Sequence, residues 1–467
     1  MARSAGSERG HGRGGAAAPP RPVDALVAEI GSTTTVVSAF VGLGEERPDL
    51  PPTLLGQGVA ATTVADGDVT VGVNRARAAL EGQTGPLAPR LVLATSSAAG
   101  GLRMTVHGLT QRMTAMAARE AALGAGAVVK YQTAGKLRAG ELRHIDEQRP
   151  NLVLLAGGVE GGDAETVLHN AHALTQLTGR PIVVYGGNSA VADEVAALLR
   201  AAGFTVKVTA NVYPAIDELD IVPARAVIHD AFEEHIVHAP GMDRLSQVVT
   251  GTILPTPGAV LLAAEQLAEA LGDLVVADVG GATTDVHSIT DGSPDVNAIQ
   301  TEPQPRAKRT VEGDLGTFVS APHVAALMSP EERPDPLPPA LPSTAAEVRA
   351  ALALARVCAL TAVHRHAGQL VQLYTPTGRQ TVARGRDLTA CRWIIGTGGA
   401  LTRLPDGEDV LAAARASARG RGERLLPPAD ARCAIDRDYI FAACGVLLSH
   451  FPAARVLRLL RASLGVM

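Results

Sequence analysis

The sequence predicts an α/β protein of two lobes, with a parallel α/β unit inserted in the first. Three observations carry this. Residues 26–40, LVAEIGSTTTVVSAF, read as a buried strand, a tight Gly-Ser-Thr turn and a second strand. Residues 274–289, LVVADVGGATTDVHSI, repeat that plan with an acid and a Gly-Gly turn. Residues 151–209 hold two successive strand–loop–helix units and a further strand, the pattern of a parallel sheet with helices packed on it. The strand–turn–strand loops exclude a P-loop and a dinucleotide fingerprint, since both of those run from a strand into a helix.

The elements follow in order. Residues 1–22 are rich in Gly, Ala, Arg, Ser and Pro without an apolar period, and read as a disordered tail. The first lobe is assigned to 23–245 and the second to 246–467, divided in a stretch punctuated by Gly and Pro. After the first loop, 53–64 and 69–73 read as strands and Asn74 starts a helix. A strand at 90–99 ends in small residues, Ser96 and Ser97 among them, and 102–109 alternate as a strand does. Residues 110–123 form an amphipathic helix stopped by Gly124. The inserted unit is placed at about 150–212. Ligands gather at the carboxyl ends of such parallel strands. Glu160, Asp163, His169, Asn170 and Asn188 lie there, either as a second functional surface or, the favoured reading, as turn residues and a helix cap. Helices are expected at 224–236 and 260–271. In residues 303–318, Arg306, Lys308 and Arg309 could screen phosphate or meet a partner, but a solvated loop is the favoured reading. A proline-rich linker at 329–342 precedes Thr344 and Glu347, a capping box that starts a helix reaching about 373. Residues 378–388 are polar and turn-rich. A helix is expected at 409–420 and a buried one at 436–451.

The 467 residues, 46% hydrophobic and 19% charged, suffice for two or three domains with their own cores. A net charge of −5 points to no nucleic-acid partner. Phosphate binding would then rest on amides, hydroxyls and a metal rather than on a basic cleft. Cys358, Cys391, Cys433 and Cys444 form no C-x-x-C pair, so neither a zinc nor an iron–sulfur site is expected. There is no secretory h-region, and no apolar run approaches the roughly 18 to 20 residues that span a membrane. A cytoplasmic protein with no membrane partner is expected.

The loops carry the chemistry. Gly31 lets a ligand approach the backbone because it has no Cβ. Ser32, Thr33 and Thr34 offer hydroxyls and amides beside it, and Glu29 can hold a cation or a water. Asp278, at a strand end, is placed to hold Mg²⁺ or to orient an attacking water. Gly280 and Gly281 permit close approach, Thr283 and Thr284 add donors, and Asp285 is a second acid. Residues 393–404, WIIGTGGALTRL, form a third loop in which Gly396, Gly398 and Gly399 can lie against a flat ligand. Each loop alone is also an ordinary tight turn; their order gives them meaning.

In that order the three loops resemble the actin, Hsp70 and sugar-kinase superfamily, which implies a two-lobed actin-like ATPase (ribonuclease H-like) fold. AEIGSTTTVV (28–37), LAGGVEGGDAETVLHNA (155–171), YGGNSAVADEV (185–195), ADVGGATTDVHS (277–288), KRTVEGDLG (308–316), GTGGALT (396–402) and DYIFAA (438–443) give a closer match. They resemble the glutamate mutase accessory proteins called MutL or GlmL, over essentially all of the chain from Leu26. The resemblance implies ATP and Mg²⁺ as ligands, with no cobalamin on this chain, and the subunits of an adenosylcobalamin-dependent glutamate (methylaspartate) mutase as partner. It implies a reactivating chaperone with slow ATPase activity. Gly31, Ser32, Thr33 and Thr34 would line the first phosphate loop, and Gly280, Gly281, Thr283 and Thr284 the second. Gly396, Gly398 and Gly399 would meet adenosine. Glu29 and Asp278 would act in catalysis and, with Asp285, hold the metal. Glu29 stands where the superfamily usually has Asp, and Ala282 where a third glycine is common, which leaves the hydrolysis rate open. A small-molecule kinase of the same fold and a nucleotide-gated adaptor without useful hydrolysis remain as alternatives. No D-x-H-x-x-G cobalamin motif occurs: the residues after Asp285 and His287 do not lead to its glycine.

Overall fold

A computed structural model describes residues 19–46, 49–98, 101–236, 241–376, 378–416 and 424–466. The first lobe opens with β1 (Arg21–Ile30), β2 (Thr34–Val41), β3 (Thr53–Ala61) and β4 (Leu87–Ser96). The inserted unit supplies β5 (Arg103–Gly108), β6 (Val128–Ala134), β7 (Leu152–Leu155), β8 (Ile182–Tyr185) and β9 (Val206–Val208). The chain then returns to the first sheet as β10 (Ile253–Pro255). The second lobe holds β11 (Leu274–Val279), β12 (Thr284–Ile289), β13 (Ala307–Glu312), β14 (Gln369–Thr375), β15 (Gly378–Arg384), β16 (Trp393–Thr397) and β17 (Arg432–Ile435).

The two main sheets share one plan. Their orders are β3-β2-β1-β4-β10 and β13-β12-β11-β16-β17. In each, three antiparallel strands are followed by two parallel ones. This duplication is the two-lobed actin-like architecture expected from the loops. The inserted sheet, β6-β5-β7-β8-β9, is parallel throughout.

The lobes are joined through one apolar cluster. Val27 and Phe40 from the first sheet and Leu274 and Val276 from the second meet the helices Thr256–Leu271 and Phe441–Leu447 in it. The two helices cross with backbones nearly touching, since a Cβ on Gly445 would lie 1.9 Å from the Ala259 carbonyl oxygen. A glycine is required there by the approach, not by φ.

Several expectations change. Residues 69–73 are not a strand but the start of helix Val69–Thr84. The alternation of VTVGV is that of a strand, but the Asp68 carboxylate accepts from Thr70 N and caps a helix whose buried face is Val69, Val73, Ala76 and Leu80. The helix from Thr344 ends at His366, and the residues expected to continue it form β14, paired with β15. The supposed loop 303–318 contains β13, in register with β12. The inserted sheet begins at Arg103, well before residue 150, and includes β6, for which no strand was expected. Helix Ala139–Gln148 was likewise unexpected. β1 takes up Arg21 and Pro22 from the supposed tail, whose residues 1–18 lie outside the described residues. The helix expected at 409–420 is short, Gly407–Ala412, and 417–420 also lie outside. Residues 436–451 are helical over Phe441–Leu447. Among the described residues, no helix is long and apolar enough to cross a membrane.

Candidate functional site

The β1–β2 and β11–β12 turns are copies of one device. Gly31 N donates to the Thr34 carbonyl at 2.9 Å, and Gly280 N donates to the Thr283 carbonyl at 3.0 Å. Glu29 and Asp278 each stand two residues before the turn glycine. The turns face each other: a Cβ on Gly281 would sit 3.9 Å from Thr33 Oγ1. They border a cavity of about 730 Å³ between the lobes.

Gly31, Ser32, Thr33, Thr34, Gly280, Gly281, Thr283, Gly398 and Gly399 line this cavity, with Glu29, Asp278 and Asp285. Ser96 and Ser97 line it as well. Gly398 has φ 85°, and a Cβ there would lie 2.4 Å from Asp278 Oδ1, so glycine alone lets the third loop close onto the carboxylate. A Cβ on Gly399 would meet nothing within 4 Å, which leaves its backbone open to a ligand. Two expected residues are elsewhere. Gly396 lies inside β16, where a Cβ would meet Ile435 at 2.6 Å, so its role is packing. Thr284 is buried and its hydroxyl donates to the Leu315 carbonyl at 2.9 Å.

Burial pushes the Glu29 carboxyl up to about 7; the Tyr439 hydrogen bond and Arg403 oppose that rise, and Asp436 adds to it. The Tyr439 hydroxyl donates to Glu29 Oε1 at 2.6 Å across the lobe boundary. Asp278 is held well above the usual carboxylate range by burial and then by the neighbouring Asp285 and Glu29 charges. Asp285 is spent on Arg309: Nε lies 2.7 Å and Nη2 2.5 Å from Asp285 Oδ1, with both side chains buried.

Among the described residues, no group of three His, Cys, Asp or Glu side chains is arranged to hold a metal ion. The expected trio of Glu29, Asp278 and Asp285 therefore does not form one. The remaining pair does fit Mg²⁺ arriving with phosphates. That ion takes only one or two protein carboxylates, and the cavity offers two that burial and mutual repulsion leave short of a cation.

Tyr439, Arg403 and Asp436 escaped the sequence reading, and Arg309 was set aside there as part of a solvated loop. Tyr439, Arg403 and Arg309 line the cavity. Asp436 is fully buried and accepts from Thr397 Oγ1 at 3.0 Å, Phe441 N at 2.9 Å and Ser463 Oγ at 2.7 Å, tying the third loop to the helix behind it. Tyr439, with φ 51°, sits in the DYIFAA segment, the only signal that pointed to it. Of the five polar residues of the inserted unit, Glu160, Asp163 and Asn188 serve loops and caps, and His169 and Asn170 lie on helix Glu165–Leu174. Glu160 accepts from Ser189 N, Asp163 from Thr166 N, and Asn188 from Gly161 N, while Asn170 and His169 hold the segment around Leu137.

Residues 25–464 match the family model described as MutL protein. The chain is 36% identical over 436 residues to Protein MutL of Clostridium tetanomorphum, covering 86% of this chain and 94% of that one. More distant likenesses include the nucleotide-free structure of an acetone carboxylase, at 13% identity and TM-score 0.40, covering 91% of this chain and 70% of that one. A carbohydrate kinase from Novosphingobium aromaticivorans is also similar, at 14% identity and TM-score 0.29, covering 92% of this chain and 93% of that one.

Proposed function

The chain belongs to the MutL family of glutamate mutase accessory proteins, and from that membership we propose that it binds Mg-ATP between its lobes and reactivates an adenosylcobalamin-dependent glutamate mutase. The observation that supports this reading is the pair of matched turns facing each other across the cavity, each preceded by a carboxylate. Amides and hydroxyls of residues 31–34 and 280–283 hold the phosphates from two sides, as P-loop amides do from one. Gly398 and Gly399 lie against the adenosine end. Magnesium, when bound, screens the phosphate charge beside Glu29 and Asp278. Asp278 orients the attacking water, and the high proton affinity that burial gives it suits a group that accepts a proton from water. Glu29 is tied to Tyr439 on the opposite lobe, so it reports occupancy of the cleft to both. Closure on ATP and reopening after hydrolysis alter the lobe angle, and that motion loosens the client enough for damaged cobalamin to leave.

The test is phosphate release from Mg-ATP, alone and with glutamate mutase blocked by cyanocobalamin. Recovery of mutase activity that depends on ATP, with both hydrolysis and recovery lost in Asp278→Ala, is expected. Hydrolysis without recovery would remove the mutase as client.

A further inference from the structure

A second cavity, of about 500 Å³, lies between helix Thr114–Gly124 of the inserted unit and the second lobe. Its wall carries Arg119, Lys308, Arg365, Arg384, Arg386 and Arg424, and Glu120 is the only acid in that lining. Two of these cations are neutralised within the chain. Lys308 Nζ reaches Glu120 Oε1 at 2.7 Å, and Arg365 pairs with Glu312 at 2.7 Å and Asp314 at 2.8 Å. Among the described residues, the other four make no ion pair.

Arg386 is the telling one. It is 3% exposed, and its guanidinium donates only to neutral oxygens, including Ser288 Oγ at 2.8 Å, the Pro305 carbonyl at 2.7 Å and the Thr290 carbonyl at 3.0 Å. Asp273 and Asp291 lie further off and are spent on Thr290 and Arg306. Arg424 donates to the carbonyls of His364 and Ala367. Arg119 and Arg384 are exposed, and among the described residues their guanidinium groups make no hydrogen bond. A buried cation is unfavourable unless an opposite charge compensates it, and among the described residues none pairs with Arg386 directly.

We propose that this cavity is a second anion site, taking a small multivalent oxyanion. Guanidinium groups match phosphate and carboxylate oxygens in pairs. Arg384, Arg119 and Arg424 meet the anion from the open side, and the buried Arg386 supplies positive potential behind it. Inorganic phosphate and a polycarboxylate both have this chemistry. Arg119 and Glu120 come from the inserted unit and the remaining cations from the second lobe, so a bound anion fastens one to the other. Arg119 also lines the cavity between the lobes, which puts the two sites on a common wall.

The experiment is a calorimetric titration of the full chain with inorganic phosphate and, separately, with citrate. It is repeated for Arg384→Glu and Arg384→Lys, whose folding is checked by circular dichroism. Arg384 is exposed, has no side-chain partner and is absent from the cleft between the lobes, so its loss reports on this cavity alone. Saturable binding of at least one anion is expected, weakened about tenfold or more in Arg384→Glu and largely kept in Arg384→Lys. Which anion binds identifies the ligand as phosphoryl or carboxylate. Absence of saturable binding for both anions, or equal binding by wild type and Arg384→Glu, would overturn the proposal.

Discussion

Glu29 and Asp278 hold the same station in two copies of one loop, and both were legible because the pattern of strand, acid and glycine turn is local. Their protonation was not legible, since it depends on what closes over them. Glu29 keeps its proton up to about pH 7 in the folded chain, against an ordinary value of 4.5. Between those values the folded state binds more protons than the unfolded one. The stability contributed by this group is therefore full below pH 4.5 and declines as pH rises through 7. Glu29→Gln, which has no proton to lose, should flatten that decline, measured as the urea midpoint of both proteins across the same pH window. A difference between the two that does not vary with pH would count against the assigned environment. Tyr439 was out of reach of sequence reasoning for a plain reason: its hydroxyl meets a carboxylate 410 positions away.

Strand β13 shows what sequence patterns miss at the level of the element. KRTVEGDLG reads as a charged surface loop, yet Arg309 is among the largest fully buried side chains of the molecule. It pairs with Asp285 on β12 and donates to the Leu123 carbonyl, in the last turn of helix Thr114–Gly124, at 3.0 Å and to the Ala127 carbonyl, just past its end, at 2.9 Å. Alternation was present, but with a cation facing inward the period looks polar on both faces. Arg309→Met leaves Asp285 buried without its partner and should cost about 3 to 5 kcal/mol. Adding Asp285→Asn should restore much of that loss, because no charge is then stranded. Urea denaturation of the single and double variants decides it: equal losses in both would mean that packing, not the ion pair, sets the cost. The strand reading of 69–73 failed for a related reason. Five residues alternate by chance, and the Asp68 cap with the apolar spacing of Val69, Val73, Ala76 and Leu80 outweighs them. The hairpin β14–β15 escaped because a well-capped helix was carried past its true end.

For the whole molecule, two sheets of one topology face each other across a cleft, and a parallel unit is tied to both. Arg309 links the cleft floor to the inserted helix, and Lys308 with Glu120 repeats that link one residue away. These contacts tie the inserted unit to the second lobe. The duplicated plan was legible from two loops some 250 residues apart, because each loop carries its strand pairing with it. The extent of the inserted unit was not, since β6 is mostly half-buried and helix Ala139–Gln148 is polar, burying only Leu142 and Ile145, so both are fixed by the sheet they join.

The central claim is that the cavity between the lobes binds Mg-ATP, and calorimetric titration of the intact protein and of Gly281→Val tests it most directly. A Cβ at Gly281 meets Phe318 at 3.5 Å and Thr33 Oγ1 at 3.9 Å, both ordinary contacts, so the variant should fold while its methyl groups fill the space between the turns. The account predicts saturable binding of Mg-ATP to the wild type, weakened about tenfold or more in the variant. Wild-type protein that takes up no Mg-ATP, or a folded Gly281→Val that binds it equally well, would contradict the account.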